Sequence, residues 1–186
     1  MDFYDDPEYA KELLEFITEA TIRRIKAWRR YLGQPEKTPE FAFADDSIQL
    51  ISEATYREFV LPCHRRLVNE LGEGGRGFIH LCGDASRHFK MLRDELNIYS
   101  FDTGFPVDFA WLRKELGLEV EIFGGPHIEF LRTTTPEQVC EKVRSILSSG
   151  ICQGGKFVLR EGNNLAPLTP VENIQAMYDT LRGHAS

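Results

Sequence analysis

The chain has 186 residues, of which 42% are hydrophobic, and a formal net charge of -7. This length and composition are typical of one soluble globular domain spanning residues 1–186. The acidic balance, without a dense block of lysine and arginine, argues against nucleic acid and against an anionic membrane, so small molecules and other proteins remain as partners. No stretch is apolar enough to cross a bilayer and the first residues do not resemble a leader, so we expect a cytoplasmic protein.

Helical and extended segments alternate along the chain. Asp6-Pro7 predicts the start of a long helix that ends near Gly33, and another helix is expected from about Ser52. The remaining elements are strands at 41–44, 77–81, 98–101, 120–123 and 156–159, and helices at 85–96, 108–116, 136–149 and 170–182. This alternation is typical of parallel βα units. The pairs expected to form capping boxes on the last two helices are Thr135 with Gln138 and Thr169 with Glu172.

Polar residues follow each predicted strand at the same end. The loops after parallel strands meet at one edge of a sheet or barrel and build the functional sites of such folds. Aspartate, asparagine and glycine also form turns, so each cluster taken alone has a purely structural interpretation. Turn formation does not call for histidine, cysteine or glutamate, and the whole set therefore predicts a site. The set comprises Asp45, Asp46, His80, Cys82, Asp102, His127, Glu161, Asn163 and Asn164.

His80 and Cys82 are two residues apart, so on an extended strand their side chains point to the same face. An imidazole with a thiolate suits Zn²⁺, and a catalytic zinc keeps one position open beside three protein ligands. The alternative is that Cys82 is a small core residue and His80 a hydrogen-bonded polar one. The spacing alone leaves both interpretations open.

Asp45 and Asp46 are consecutive, so only one of them can face the mouth of the site. That carboxylate is a candidate base or a partner for a cationic nitrogen, and the other is expected to cap the following turn. His127, which follows Gly-Gly-Pro, is a candidate acid or base, or else a loop residue. The remaining histidines apart from His80 are expected on the surface, namely His64, His88 and His184.

Several stretches resemble the uroporphyrinogen decarboxylase superfamily. They are 44–47 (ADDS), 80–83 (HLCG), 100–102 (SFD), 123–125 (FGG) and above all 165–177 (LAPLTPVENIQAM). This superfamily also contains zinc-dependent methyltransferases, which move methyl groups from corrinoid proteins to thiols such as coenzyme M. The resemblance implies an α/β fold, a partial TIM-type (β/α) barrel with about five parallel strands and flanking helices, which is the C-terminal part of the family's barrel.

The resemblance also implies roles for individual residues. His80 and Cys82 match the first two zinc ligands of the methyltransferase branch, whose methyl donor is methylcobalamin on a partner protein. That branch's third ligand is a cysteine after the last strand, but here the segment 160–164 reads REGNN, which leaves Glu161 or an aspartate from another strand as candidates. Asp102, Glu161, Asn163 and Asn164 are expected to position the substrate. The histidine that the decarboxylase branch places near this point is also missing.

Three functions therefore remain open. The leading hypothesis is a zinc- and corrinoid-dependent methyl transfer to a small-molecule thiol. The first alternative is a metal-free decarboxylase, a lyase that acts on a tetrapyrrole carboxylate such as uroporphyrinogen, and the second is a non-catalytic binding or assembly module. A barrel of about five strands leaves open edges, which predicts a homo-oligomer or a complementary chain that supplies the missing strands.

Overall fold

The computed structural model of the chain describes residues 2–184, in which five strands form one parallel sheet. The strands lie side by side in chain order, and each connection between neighbours contains a helix. Their bounds are β1 (Ala42–Ala44), β2 (Gly77–Leu81), β3 (Ile98–Thr103), β4 (Glu121–Gly124) and β5 (Phe157–Leu159). The predicted α/β fold, with five parallel strands and flanking helices, is confirmed.

The helices pack mainly against one face of this sheet. Their bounds are α1 (Asp2–Asp5), α2 (Pro7–Tyr31), α3 (Glu53–Thr55), α4 (Leu61–Leu71), α5 (Ser86–Leu96), α6 (Phe109–Leu116), α7 (Ile128–Thr133), α8 (Pro136–Ile146) and α9 (Val171–His184). Turns of 3₁₀ helix lie at Asp46–Leu50 and Gln153–Gly155, and π-helical turns at Tyr56–Val60 and Leu147–Ile151. None of the helices within residues 2–184 has the length and apolar character that a bilayer crossing requires.

The helix expected from Ser52 onward is interrupted by one of the π-helical turns. The helix begins near Ser52 as predicted, and the Ser52 side chain caps it by accepting the backbone N–H of Thr55. The N–H of Leu61 then bonds to the carbonyl of Tyr56, five residues earlier. Pro62 follows at the first turn of α4 and has no N–H to continue the ordinary ladder, which explains the wider turn before it.

The two expected capping boxes differ in outcome. The one on α8 is confirmed, because the Thr135 side chain accepts the N–H of Gln138 while the Gln138 side chain accepts the N–H of Thr135. At the other position the Thr169 hydroxyl donates instead to the carbonyl of Ala166 at 2.7 Å. That bond closes a turn over 166–169, and α9 begins two residues later, at Val171.

The two faces of the sheet differ in polarity. The helix-covered face carries side chains that are completely buried, including Ile79, Leu81, Phe101 and Ile122. The opposite, concave face carries His80, Ser100 and Glu121, and near the amino ends of the strands it borders a cavity of about 550 Å³. Apolar burial against the helices therefore fixes the sheet, while the inner surface combines these polar side chains with the rings of Phe78 and Phe123.

Arg113 ties the second half of the sheet to its helices. This side chain of α6 is only 4% exposed and donates to four carbonyl oxygens, two in the loop before β4 and two in the segment that leads into β5. The acceptors are Gly117 at 2.9 Å, Val120 at 2.7 Å, Ile151 at 2.9 Å and Lys156 at 2.8 Å. Charge-assisted bonds of this kind satisfy carbonyls that would otherwise be buried without partners.

The surface prediction is wrong for His64 and His88. His64 is 6% exposed and His88 is fully buried, whereas His184 lies on the surface as expected. His88 donates from Nε2 to the carbonyls of Ile48 at 2.9 Å and Ile51 at 3.2 Å, so its ring fastens the loop after β1 to α5. Only Nε2 of His88 has such partners, because its buried Nδ1 has no hydrogen-bond partner among the described residues.

Candidate metal centre

Side chains from separate strands meet at the carboxyl end of the sheet. The parallel register places His80 on β2 opposite Asp102 on β3, and Ala44 at the end of β1 opposite His80. Asp46 and Cys82 follow directly after β1 and β2, on the concave side. Asn163 arrives from the loop after β5 and donates from Nδ2 to the Cys82 Sγ atom at 2.9 Å. Because β3 and β4 lie between β2 and β5, the loop after β5 and the curvature of the sheet together bring Asn163 across the end of the sheet.

Cys82 lies at the centre of this group. Its Sγ atom is 3.2 Å from Nε2 of His80, and its backbone N–H donates to Oδ1 of Asp46 at 2.7 Å. The ligand atoms of Asp46, His80 and Cys82 all lie within 4.8 Å of one another. A carboxylate, an imidazole and a thiolate together form a donor set that suits Zn²⁺, with room for a fourth ligand from outside.

Asp102 fixes the orientation of His80. Its Oδ2 atom lies 2.7 Å from Nδ1 of His80, and this carboxylate is 8% exposed. With the carboxylate as acceptor, Nδ1 of His80 donates to Asp102, and Nε2 is directed at the Sγ atom of Cys82. A carboxylate behind the second nitrogen is the usual partner of a metal-binding histidine, because it fixes the ring and increases its basicity.

The surroundings of Cys82 favour the protonated thiol. Burial raises the pKa of the Cys82 thiol, and the carboxylate of Asp46 raises it further. The hydrogen bond from Asn163 acts in the opposite direction but does not outweigh them. Without a cation the thiol is thus neutral near pH 7 and a weak nucleophile, whereas a metal ligand has to be deprotonated.

Arg160 is a site residue that the sequence analysis missed. Its guanidinium donates to Oδ2 of Asp102 at 3.1 Å and to Oε1 of Glu161 at 3.5 Å. Arg160 follows β5 two residues after Val158, so the alternation of strand side chains would have placed it on the concave face. The same Asp102 oxygen therefore accepts from both Arg160 and His80, and Glu161 joins the group only through Arg160.

Asp45 points away from this centre, toward the helices. Its Oδ2 lies 3.1 Å from Nε2 of the buried His64, and its Oδ1 accepts the N–H of Ser47 at 3.1 Å. It thereby caps the 3₁₀ turn Asp46–Leu50. Burial by itself raises the pKa of Asp45, but the hydrogen bonds from His64 and Ser47 outweigh burial and hold this pKa below its ordinary value.

Two further candidates lie apart from the thiol. His127 is the N-cap residue directly before α7, and its ring packs on that of Phe105 with centroids 4.3 Å apart. Asn164 is exposed, and its backbone N–H donates to the side-chain oxygen of Asn163 at 2.7 Å. The structure thus brings together Asp46, His80, Cys82, Asp102 and Asn163, with Glu161 one contact further away, and it leaves Asp45, His127 and Asn164 outside the cluster.

The chain resembles two kinds of enzyme. It is 30% identical over 179 residues to a methylated-thiol:coenzyme M methyltransferase of Methanosarcina mazei, an alignment that covers 92% of this chain and 44% of that protein. It is also 26% identical over 181 residues to a uroporphyrinogen decarboxylase of Carboxydothermus hydrogenoformans, covering 96% of this chain and 49% of the relative. The chain therefore spans about half the length of the curated relatives that it matches.

A solved structure and a family model agree with these relatives. A methyltransferase from Methanosarcina mazei superposes with a TM-score of 0.73 at 18% identity, covering 100% of this chain and 52% of the other, which supports the fold. The uroporphyrinogen decarboxylase (URO-D) family model matches residues 1–184. The resemblance inferred from the motifs is thereby confirmed, and the chain belongs to the URO-D family.

Proposed function

We propose that this chain carries the thiol-activating centre of a zinc- and corrinoid-dependent methyltransferase. The observation behind the proposal is the convergence of Asp46, His80 and Cys82, with the carboxylate of Asp102 behind the imidazole. The relative named as a methylated-thiol:coenzyme M methyltransferase supports the same assignment. Asp46 would supply the third ligand, in place of the cysteine that the family resemblance leads one to expect after the last strand.

Each residue of the centre would have a separate role. Asp46, His80 and Cys82 would hold the zinc ion, which supplies Lewis acidity that lowers the pKa of a substrate thiol. Asp102 keeps the lone pair of His80 directed at the metal position. Asn163 closes the other side of the thiol, where its amide fixes the position of Sγ. A methylated corrinoid on a separate protein would be the methyl donor.

Metal analysis of the purified protein tests the proposal. We expect about one zinc per chain after dialysis against zinc-free buffer, and removal by a strong chelator followed by stoichiometric rebinding. A protein that neither retains nor rebinds zinc would contradict the methyltransferase proposal. It would favour the second candidate, a metal-free decarboxylase for a tetrapyrrole carboxylate, for which the guanidinium of Arg160 at the same rim is a suitable partner.

The open edges of the sheet indicate association with another chain. Within residues 2–184 the outer edges of β1 and β5 pair with no strand, and Ala42 and Ala44 are exposed on β1. The long helix α2 also presents large apolar side chains to solvent: Tyr9, Leu13, Phe16, Ile17, Trp28 and Tyr31. Such edges and patches are usually covered in soluble proteins. We therefore expect a second copy, or a chain that supplies further strands, to cover them.

Size-exclusion chromatography with light scattering tests this expectation. The purified chain should run as a dimer or larger assembly, or should gain a cooperative thermal transition only when a complementary chain is added. A stable monomer with a cooperative melt would contradict it, because the edges would then need no cover. In that case a binding role for an isolated partial barrel would gain support.

A further inference from the structure

A hydrogen-bonded chain of side chains lies directly behind the candidate metal centre. The Tyr56 hydroxyl is 3.0 Å from Nδ1 of His64, and Nε2 of His64 is 3.1 Å from Oδ2 of Asp45. Tyr56 is fully buried and His64 is 6% exposed. The His64 ring also packs edge-on against Phe43, with ring centroids 4.8 Å apart. The mechanism proposed for the centre makes no use of these buried groups.

The hydrogen bond between His64 and Asp45 has a definite direction. Burial raises the pKa of the Tyr56 phenol above its already high ordinary value, so its hydroxyl keeps the proton. Asp45, with its lowered pKa, is an ionised acceptor. His64 therefore donates from Nε2 to the Asp45 carboxylate, and its Nδ1 shares the second hydrogen bond with the Tyr56 hydroxyl, so both ring nitrogens have a partner.

The chain ends at the residue before Asp46. The Asp45 backbone N–H donates to the carbonyl of His80 at 3.3 Å, and its carboxylate is further held by the N–H and hydroxyl of Ser47. Asp45 and Asp46 are consecutive and project to opposite sides of the end of β1. Because one peptide bond joins the two residues, a hydrogen-bonded Asp45 carboxylate restricts the backbone of Asp46. The Asp46 side chain is thereby held in the direction of Cys82.

We infer that His64 is a positioning residue, which through Asp45 holds the Asp46 carboxylate against the Cys82 backbone N–H and beside the ligand atoms of His80 and Cys82. Its relevance to metal binding rests on the proposed function, but the positioning itself does not. For this positioning role, residue 64 has to carry a hydrogen-bond donor where Nε2 of His64 now lies. A purely space-filling role would require only a ring of similar size between Phe43 and Tyr56.

Three variants test whether the hydrogen-bond donor of His64 is required or only the volume of its ring. Tyr56→Phe removes the distal hydroxyl and leaves the donor to Asp45 in place. Tyr56→Phe combined with His64→Phe keeps the ring volume and removes the donor without leaving a buried hydroxyl unpaired. Tyr56→Phe combined with His64→Gln returns an amide donor near the original Nε2 position. The first variant is the matched control, and the last one is the rescue.

Amide hydrogen exchange of the metal-free protein, followed residue by residue by NMR, provides the test. The Cys82 amide reports the bond to Asp46, and the Ile122 amide, bonded to the Lys156 carbonyl at 3.0 Å, reports the sheet away from the site. In the double phenylalanine variant we expect Cys82 to exchange about tenfold faster relative to Ile122, as the loss of roughly one hydrogen bond implies. The control and the glutamine variant should stay near the parent.

Cobalt titration of the same variants extends the test to the metal. The thiolate-to-cobalt absorption should show a Co²⁺ affinity about tenfold weaker in the double phenylalanine variant, with recovery in the glutamine variant. Unchanged exchange at Cys82, or parallel changes at Cys82 and Ile122, would refute the positioning role. If Cys82 alone responds but the parent binds no Co²⁺, the positioning role stands and the zinc proposal fails.

Discussion

Replacing Cys82 with alanine is expected to abolish stoichiometric zinc binding. Its Sγ atom is the central candidate ligand atom. It lies 3.2 Å from Nε2 of His80 and accepts a hydrogen bond from the Asn163 amide at 2.9 Å. Without it the remaining imidazole and carboxylate form a weak two-ligand site that loses the metal during dialysis. His80→Ala should have the same effect. The measurement is the zinc content per chain after dialysis, with the fold of each variant verified by circular dichroism.

Zinc affinity should fall less when Asp102, which supports a ligand, is replaced than when a ligand itself is replaced. Asp102→Asn keeps the shape of the side chain but weakens its bond to Nδ1 of His80, so zinc should bind about 10- to 100-fold more weakly without being lost. Cys152→Ala is the matched control for the thiol, because Cys152 is exposed and lies outside the centre. Zinc loss that is equal in the Cys152 and Cys82 variants would refute the assignment of Cys82 as a ligand.

Arg113→Met should produce the largest loss of stability among single substitutions of charged residues. Methionine fills much of the volume of the side chain but donates no hydrogen bonds, so the buried carbonyls of Val120 and Ile151 lose their charged donor. The expected loss is at least about 3 kcal/mol of unfolding free energy, from more than one buried acceptor left unsatisfied. Urea unfolding at a fixed protein concentration measures it, because association also contributes to apparent stability.

Arg57→Met is the matched control for that substitution. The Arg57 side chain is 58% exposed and pairs with Glu95 at 3.2 Å, an arrangement whose contribution is expected to stay below about 1 kcal/mol. Similar losses in the two variants would mean that the bonds of Arg113 contribute no more than an exposed ion pair. The comparison would then contradict the role of Arg113 as a tie between α6 and the second half of the sheet.

Much of the fold follows from local sequence patterns. Short, mainly apolar runs such as Gly77–Leu81 alternate with segments whose apolar residues recur at helical spacing. This alternation predicts a parallel sheet with helical connections. Thr135, Pro136 and Gln138 locate the start of α8, because local hydrogen bonds decide it. Thr169 carries the same signal, yet its hydroxyl bonds to Ala166. The pattern cannot show whether such a hydroxyl accepts a backbone N–H of the helix or donates to a preceding carbonyl.

The candidate site was harder to predict than the strands that carry it. Strand alternation places His80 and Cys82 together, and chain order places Asp46 near the same rim. The contact between Asn163 and Cys82 depends on how far the sheet curls, which local sequence does not specify. The expected surface position of His64 is wrong. This residue lies eight positions after Tyr56 on the same side of a helical segment, and that spacing could have indicated a buried pair.

The candidate ligand atoms come from elements that differ in how readily their sequences can change. His80 lies on β2 and Cys82 follows directly after this strand, so the sheet interior sets their separation. The third position is reached by two loops, one after β1 that brings Asp46 and one after β5 that brings Asn163. Because a loop tolerates substitution more readily than a central strand, the identity of the third donor can drift between those loops while the imidazole and the thiol stay paired.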